Sequence, residues 1–282
     1  VTADNKTKTY GADDPTLTYI SSGILTSDYS HITDLLTISR EKGEDVGTYK
    51  IEVSPIEASK EDVTYNNYDF AFVPGEFKIF AKDIYVVWGD EFEFTYSAKE
   101  QTPSVYVDGI VDGDESVVDI SHYTFDAKKA LTVKVSNPID AGQYWTTVSL
   151  VGDKASNYNL LGISTHTFSI LQKELHLIWS PKVKFTRHSY AQAPYIMDVE
   201  GLEGDDTYGM QGIDDNILDQ DVWIMYVDGF GPQIHTGKYI AKVELVGPKA
   251  KNYKIKEGDE QIAFKIHRKP NEDTNPVKTG VE

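Results

Sequence analysis

The chain has no cysteine among its 282 residues, which excludes disulfides, thiolate metal sites and cysteine nucleophiles. Its cysteine-free composition suits exported bacterial proteins that fold without oxidative help. Positive charge is scarce: 27 Lys and Arg face 45 Asp and Glu, for a formal charge of −18. Such a chain repels nucleic acid, whose recognition starts with cationic neutralisation of phosphates, and also repels anionic membrane surfaces. Like charge keeps proteins soluble and apart, so a monomer is expected. No apolar run reaches the roughly 18 residues of a membrane-spanning helix. No leader segment is evident, and the chain reads as a processed or excised fragment. Catalytic signatures are missing too. Gly162-Ile163-Ser164-Thr165-His166 lacks the final Gly of a nucleophile elbow, and no phosphate-cradling glycine loop occurs. The seven His are scattered without His-x-His or His-Glu-x-x-His, so zinc is not expected. Helical periodicity never extends over ten residues; short helical pieces are expected only near 32–36 and 214–219.

What the sequence does have is tyrosine, 18 residues of it, and repetition. "AGQYWTTVSLVGDKASNYNL" at 141–160 returns as "TGKYIAKVELVGPKAKNYKI" at 236–255. Gly-x-Tyr stands at Gly47/Tyr49, Gly142/Tyr144 and Gly237/Tyr239, at two intervals of 95 residues. Asn-Tyr follows at 67–68, 157–158 and 252–253, and Phe-x-Ile closes at 77–79, 168–170 and 264–266. The openings also align: Trp88 with Trp179, Phe94 with Phe185, Pro103 with Pro194, and Gly113-Asp114 with Gly204-Asp205; Tyr10-Gly11 is placed opposite Trp88-Gly89. Self-similarity at such a period marks a repeat architecture.

Within each copy the period is two. Tyr239, Ala241, Val243 and Leu245 share one face while Lys242 and Glu244 take the other, the signature of half-buried strands. Short β-rich runs separated by Gly, Asp and Asn-Pro turns suit a sandwich. The expectation is all-β: three tandem antiparallel β-sandwich (Ig-like) modules in a roughly linear array, at 1–80, 81–172 and 173–267, with a disordered polar tail at 268–282. Each copy is expected to close its own apolar interior. The Gly before each Tyr strand permits a sharp turn, and the Tyr hydroxyl is expected to reach a backbone acceptor.

The first copy, through Tyr10, Gly11, Asp14, Pro15, Arg40, Glu41, Gly47, Tyr49 and Ile51, resembles the bacterial MBG-type repeat with its Tyr-Gly opening. The second and third copies resemble divergent relatives, close to Tyr-Asp-Gly-type surface repeats, although Ser97 and Ser189/Tyr190 stand near the Asp-Gly position and Ser180 replaces a Gly. The resemblance implies a non-catalytic region of an exported cell-surface protein, a stalk, spacer or adhesin scaffold outside the cell. "NPVKTG" at 275–280 resembles endings found before a wall-sorting segment.

Candidate sites concentrate in the third copy. Asp205, Asp206, Asp214 and Asp215 lie in the densest acidic stretch and supply the hard oxygen ligands calcium takes, without EF-hand spacing. No other cofactor is expected. Trp223, Tyr226 and Phe230 are the candidate aromatic platform of the alternative function, binding of host glycan or glycoprotein. Asn67, Asn157 and Asn252 are candidates for a Lys–Asn cross-link, which needs a buried Lys and an acid in contact with the Asn.

Overall fold

The computed structural model describes residues 1–126, 131–210 and 220–270. The described residues are almost all strand and loop. The one α-helix is Tyr29–Asp34, and short 3-10 turns include Tyr65–Asn67, Ala155–Asn157 and Ala250–Asn252. The all-β expectation holds and the short helix falls beside the expected 32–36; the segments 214–219 and 271–282 lie outside the described residues.

The chain divides into two compact units: residues 1–89, 105–120 and 147–165, and residues 90–104, 121–146 and 166–282. In the first, a four-stranded sheet runs in the order Lys6–Thr9, Gly75–Phe80, Gly47–Pro55 and Leu36–Arg40. A three-stranded sheet is ordered Tyr158–Leu161, Lys82–Trp88 and Val105–Asp108, and Thr2–Ala3 pairs with Tyr19–Ile20. In the second unit a five-stranded sheet is ordered Lys184–Thr186, Gln261–His267, Gly237–Val246, Val222–Tyr226 and Tyr208–Met210. A three-stranded sheet joins Ile196–Glu200, Lys173–Trp179 and Tyr253–Ile255. A further sheet, ordered Leu131–Val135, Val118–Asp126, Gly142–Leu150, Thr165–Leu171 and Glu93–Thr95, has strands whose residues are divided between the units.

The sheets are mixed rather than purely antiparallel, which corrects one detail of the sequence reading. Lys6–Thr9 runs parallel to Gly75–Phe80, Glu93–Thr95 to Thr165–Leu171, and Lys184–Thr186 to Gln261–His267. The cause is the opening stretch of each copy. Its early part joins one sheet (Lys82–Trp88, Lys173–Trp179) and its later part another. The later part pairs with the copy's own last strand, so that strand's edge is not left open.

Alternation places the core. In Gly75–Phe80 every second residue is buried, with Phe77 and Ile79 at 1% exposure or less. Each such side chain contributes about 1.5–3 kcal/mol of burial free energy. The buried clusters do not stop at residues 80 and 172. In the first unit Ile51, Phe77 and Ile79 pack in one cluster with Ile84, Val117 and Tyr158. In the second, Tyr144, Phe168 and Ile170 join Leu175, Leu177, Ile224 and Tyr253. Only Ala81 separates strand Gly75–Phe80 from Lys82–Trp88, and only Gln172 separates Thr165–Leu171 from Lys173–Trp179. Apolar surface at the end of one copy is therefore buried by the start of the next.

The Gly-x-Tyr motif has one geometry in all three places. Tyr49, Tyr144 and Tyr239 each donate their hydroxyl to the backbone carbonyl four residues earlier, at Asp45, Asp140 and His235 (2.7, 2.8 and 3.0 Å). At Gly237 an added Cβ would sit 2.8 Å from the Tyr239 hydroxyl oxygen, so a side chain there would displace the ring.

Candidate functional site

Two hydrogen-bonded junctions are built with the same chemistry. In the first unit, Tyr10 follows strand Lys6–Thr9 and donates its hydroxyl to Asp114 Oδ2 at 2.6 Å. Tyr158 donates to the same oxygen at 2.7 Å. The two rings meet edge to face, 5.2 Å apart at 78°. Beside them Asn157 Oδ1 accepts the backbone N–H of Val46 at 2.8 Å, and its Nδ2 donates to Asp45 at 2.8 Å. Lys154 Nζ reaches Asp45 at 2.6 Å.

In the second unit the same groups reappear. Tyr96, after strand Glu93–Thr95, donates to Asp206 Oδ2 at 2.8 Å, and Tyr253 donates to the same atom at 2.6 Å. The ring pair again stands 5.2 Å apart at 78°. Asn252 Oδ1 accepts the N–H of Ala141 at 2.8 Å, and Nδ2 donates to Asp140 at 2.9 Å. Lys251 pairs with Asp140, and Lys249 with Asp206 at 2.5 Å. Asn157 and Asn252 are wholly buried, so their amides depend on these partners.

Local structure explains the placement. The turns Ala155–Asn157 and Ala250–Asn252 present the Asn and then release the chain into a strand at the Tyr. The backbone N–H groups of Val111 and Glu203, each three residues before the shared Asp, donate to Tyr158 and Tyr253 hydroxyls (3.2 and 3.0 Å). Those phenols accept one bond and donate another, which fixes them in the apolar cluster.

Electrostatics follow from the donors. The Tyr10 and Tyr158 hydroxyls hold the Asp114 carboxyl below the usual range. At Asp206 burial opposes ionisation, but Lys249, Tyr253 and Tyr96 outweigh it and its pKa is also lowered. Burial, reinforced by the neighbouring carboxylate, pushes Tyr96 up to about 12 and raises Tyr158 and Tyr253 as well. At neutral pH the carboxylates are ionised and the phenols neutral, the pairing with the strongest hydrogen bonds.

These residues revise the sequence alignment. Tyr10 corresponds to Tyr96 and not to Trp88, because Tyr10 N–H bonds Phe80 O as Tyr96 N–H bonds Leu171 O. Asp114 corresponds to Asp206 and not to Asp205. Counting from Val107 and Val199 gives the shared Asp at equal spacing, a signal present in the sequence. Position-matched to Tyr10 and Tyr96 in the third copy is Arg187, whose N–H bonds His267 O.

Of the candidate calcium ligands, Asp205 is exposed and Asp214 and Asp215 lie outside the described residues. Asp206 has its side chain 1% exposed, with both oxygens taken by protein donors. Among the described residues no three His, Asp or Glu side chains gather into a metal-sized cluster. The aromatic platform does not assemble as expected. Trp223 is 4% exposed and lies in a core strand, because Val222, Trp223 and Ile224 are all buried. Tyr226 donates to Pro194 O at 2.6 Å, and burial pushes its pKa up to about 12. Phe230 alone of the three is exposed, at 43%; a groove of about 440 Å³ in the same turn is lined by Tyr226, Asp228, Pro232 and Gln233 and not by Phe230. A larger open cleft of about 870 Å³ borders the second junction at Phe125, Asn137, Asp140 and Lys251. Among the described residues, the lysines that share an Asp with Asn157 and Asn252, Lys154 and Lys251, are 47% and 59% exposed in their side chains and so are not the buried amine a Lys–Asn cross-link needs. Lys154 is also held protonated by Asp45.

The described residues form an almost all-β protein in which two buried polar clusters of the same chemistry recur, one in each compact unit. Residues 1–78 match the family model of the MBG domain (YGX type). No curated protein matches the chain significantly. Among solved structures, the N-terminal four Ig domains of Dscam1 isoform 7.44 align at 7% identity and a TM-score of 0.24, covering 95% of this chain and 72% of that one. The three N-terminal domains of the bacteriophage RB49 Highly Immunogenic Outer Capsid protein (Hoc) align at 10% identity and a TM-score of 0.22, covering 81% and 80%. No helix among the described residues is long and apolar enough to cross a membrane.

Proposed function

We propose that the chain is a non-catalytic repeat region of an exported bacterial surface protein, acting outside the cell as a stalk or spacer. Its modules are residues 1–80, 81–172 and 173–267. The observation that carries this reading is the twice-used junction. A carboxylate shared by two tyrosines, with a buried Asn bridging to the preceding copy, ties consecutive copies by directed bonds as well as apolar burial. The MBG-domain match over residues 1–78 supports the same assignment. Under tension, load passes along strands joined by the single residues Ala81 and Gln172, leaving little slack between copies.

Single-molecule pulling on the full chain tests it. The expected trace has discrete unfolding peaks, together releasing on the order of 90 nm for some 267 residues at about 3.4 Å per residue. A featureless extension without peaks overturns the load-bearing role. A second reading, glycan or glycoprotein binding, is supported by exposed Phe230 in the turn whose neighbouring residues line a groove. A glycan array with the full chain and with Phe230→Ala tests it, and silence of the unmodified chain removes it.

A further inference from the structure

The half-junction that receives a preceding copy occurs a third time, in the first copy, and there it is empty-handed. Tyr68 donates to Asp28 Oδ2 at 2.8 Å, as Tyr158 does to Asp114 and Tyr253 to Asp206. The backbone N–H of Leu25, three residues before Asp28, donates to the Tyr68 hydroxyl at 3.2 Å, as Val111 and Glu203 do in the other two. The turn Tyr65–Asn67 presents Asn67 immediately before the Tyr, as Ala155–Asn157 and Ala250–Asn252 present theirs. Yet Asn67 is exposed where Asn157 and Asn252 are wholly buried, and its side chain has no partner among the described residues. Leu25, whose N–H bonds the Tyr68 hydroxyl, is 66% exposed, and Tyr29, next to Asp28, is 46% exposed.

We propose that this face of the first copy is a docking surface for another module of the first copy's own type, one that carries Tyr-Gly after its opening strand and Asp-Val-Gly before its Gly-x-Tyr strand. The incoming Tyr hydroxyl bonds Asp28, the incoming Asp takes the Asn67 amide, and the incoming Val N–H bonds Asn67 Oδ1. Leu25 selects the Tyr-Gly type. Its counterpart Val111 packs so tightly over Gly11 that an added Cβ would lie 2.4 Å from a Val111 methyl. The second junction instead places Glu203 at this position, opposite a copy with Ser97 after its Tyr. The chain does not offer this partner to itself. The Tyr10 and Asp45 set is already engaged, and the third copy has Arg187 and His235 at the matching positions.

The proposal rests on the repeated bonds and is independent of where the protein works. It is tested with the full chain extended by a duplicate of residues 1–85 ahead of Val1. This joint keeps register, because counting from Tyr68 and Tyr158 along the pairs Thr2–Val73 and Lys82–Tyr158 puts Val1 where Val86 stands. The double variant Asp28→Ala, Asn67→Ala is compared in both lengths by urea denaturation, with Asn67 side-chain amide exchange followed by NMR. Because Asp28→Ala also removes the Tyr68 bond already present in the 282-residue chain, the expected result is a larger fall in midpoint in the extended chain than in the 282-residue chain, together with at least tenfold slower amide exchange at Asn67 in the unmodified extended chain. A Tyr10→Phe change in the added copy should reproduce part of the loss. Equal cost in both lengths, or unchanged Asn67 exchange with a folded added copy, overturns the proposal. If the added copy does not fold, native mass spectrometry of the 282-residue chain decides in its place. A monomer agrees with the stated partner, and head-to-tail oligomers abolished by Asp28→Ala contradict it.

Discussion

Replacing Asp206 with Ala removes the acceptor at the centre of the second junction. The carboxylate takes bonds from Tyr96 (2.8 Å), Tyr253 (2.6 Å) and Lys249 (2.5 Å), with its side chain 1% exposed. A hydrogen bond to a charged group contributes about 1.5–3 kcal/mol, and a stranded buried polar group costs about 1–3 kcal/mol. The losses do not simply add. Lys249 is 39% exposed and keeps Asp221 at 3.3 Å, so it is resolvated cheaply. The two phenols are the costly groups, since Tyr96 and Tyr253 are each 2% exposed. The expected destabilisation is about 3–5 kcal/mol, the range for breaking a buried pair from one side. Denaturation in urea, followed by tryptophan fluorescence, measures it well. Trp145, Trp179 and Trp223 all belong to the second unit, which contains the junction. Asp205→Ala, one residue away and exposed, is the control and should stay within about 0.5 kcal/mol. Equal midpoints for the two variants would refute the claim that the shared carboxylate holds this region together.

Alkaline titration should loosen the same region. Tyr96 has its pKa raised to about 12 from an unfolded value near 10, so its contribution is whole below pH 10 and is lost as pH rises through about 12; ultraviolet phenolate absorbance should lag behind that of Tyr96→Phe. Asp114 and Asp206, whose pKa values are lowered, stabilise above the ordinary carboxylate range near 4 and lose that contribution as pH falls through their lower folded values; a thermal-melt series from pH 6 to 2 should show a falling midpoint that is shallower in Asp206→Ala. Gly201 has φ +101° and an added Cβ would lie 2.6 Å from Glu174 O, so Gly201→Ala should cost about 1–3 kcal/mol in urea denaturation. Trp223→Ala should cost about 3–5 kcal/mol as a core truncation, whereas Phe230→Ala should leave the urea midpoint within about 0.5 kcal/mol.

Much of the fold was legible because it rests on local pattern. Alternation in Tyr239–Leu245 marked a buried face, and the recurrence of Gly-x-Tyr predicted a tyrosine whose hydroxyl reaches backbone, as Tyr49, Tyr144 and Tyr239 do. The junctions were hidden because they are non-local: Tyr10 and Asp114 lie 104 residues apart, and Tyr96 and Asp206 lie 110 apart. Tyr10 was set opposite Trp88 because both begin an aromatic-Gly pair; only the strand register separates a residue after Lys6–Thr9 from one ending Lys82–Trp88. Trp223 was read as a surface aromatic because hydrophobic runs do not show which strand is central, and Val222–Tyr226 lies between two neighbours. The acidic run at 203–221 suggested a metal because charge density was visible and the tyrosine donors engaging Asp206 were not.

The single-residue connections at Ala81 and Gln172 have an evolutionary consequence. Recombination that inserts or deletes one whole copy carries the strand end, the turn and the next strand's start across together. The surfaces that meet at the new boundary suit each other where the junction types match, Val111 over Gly11 in one and Glu203 opposite a copy with Ser97 in the other. A change of length that keeps matched junction types therefore needs no new interface, and reach is separable from foldability.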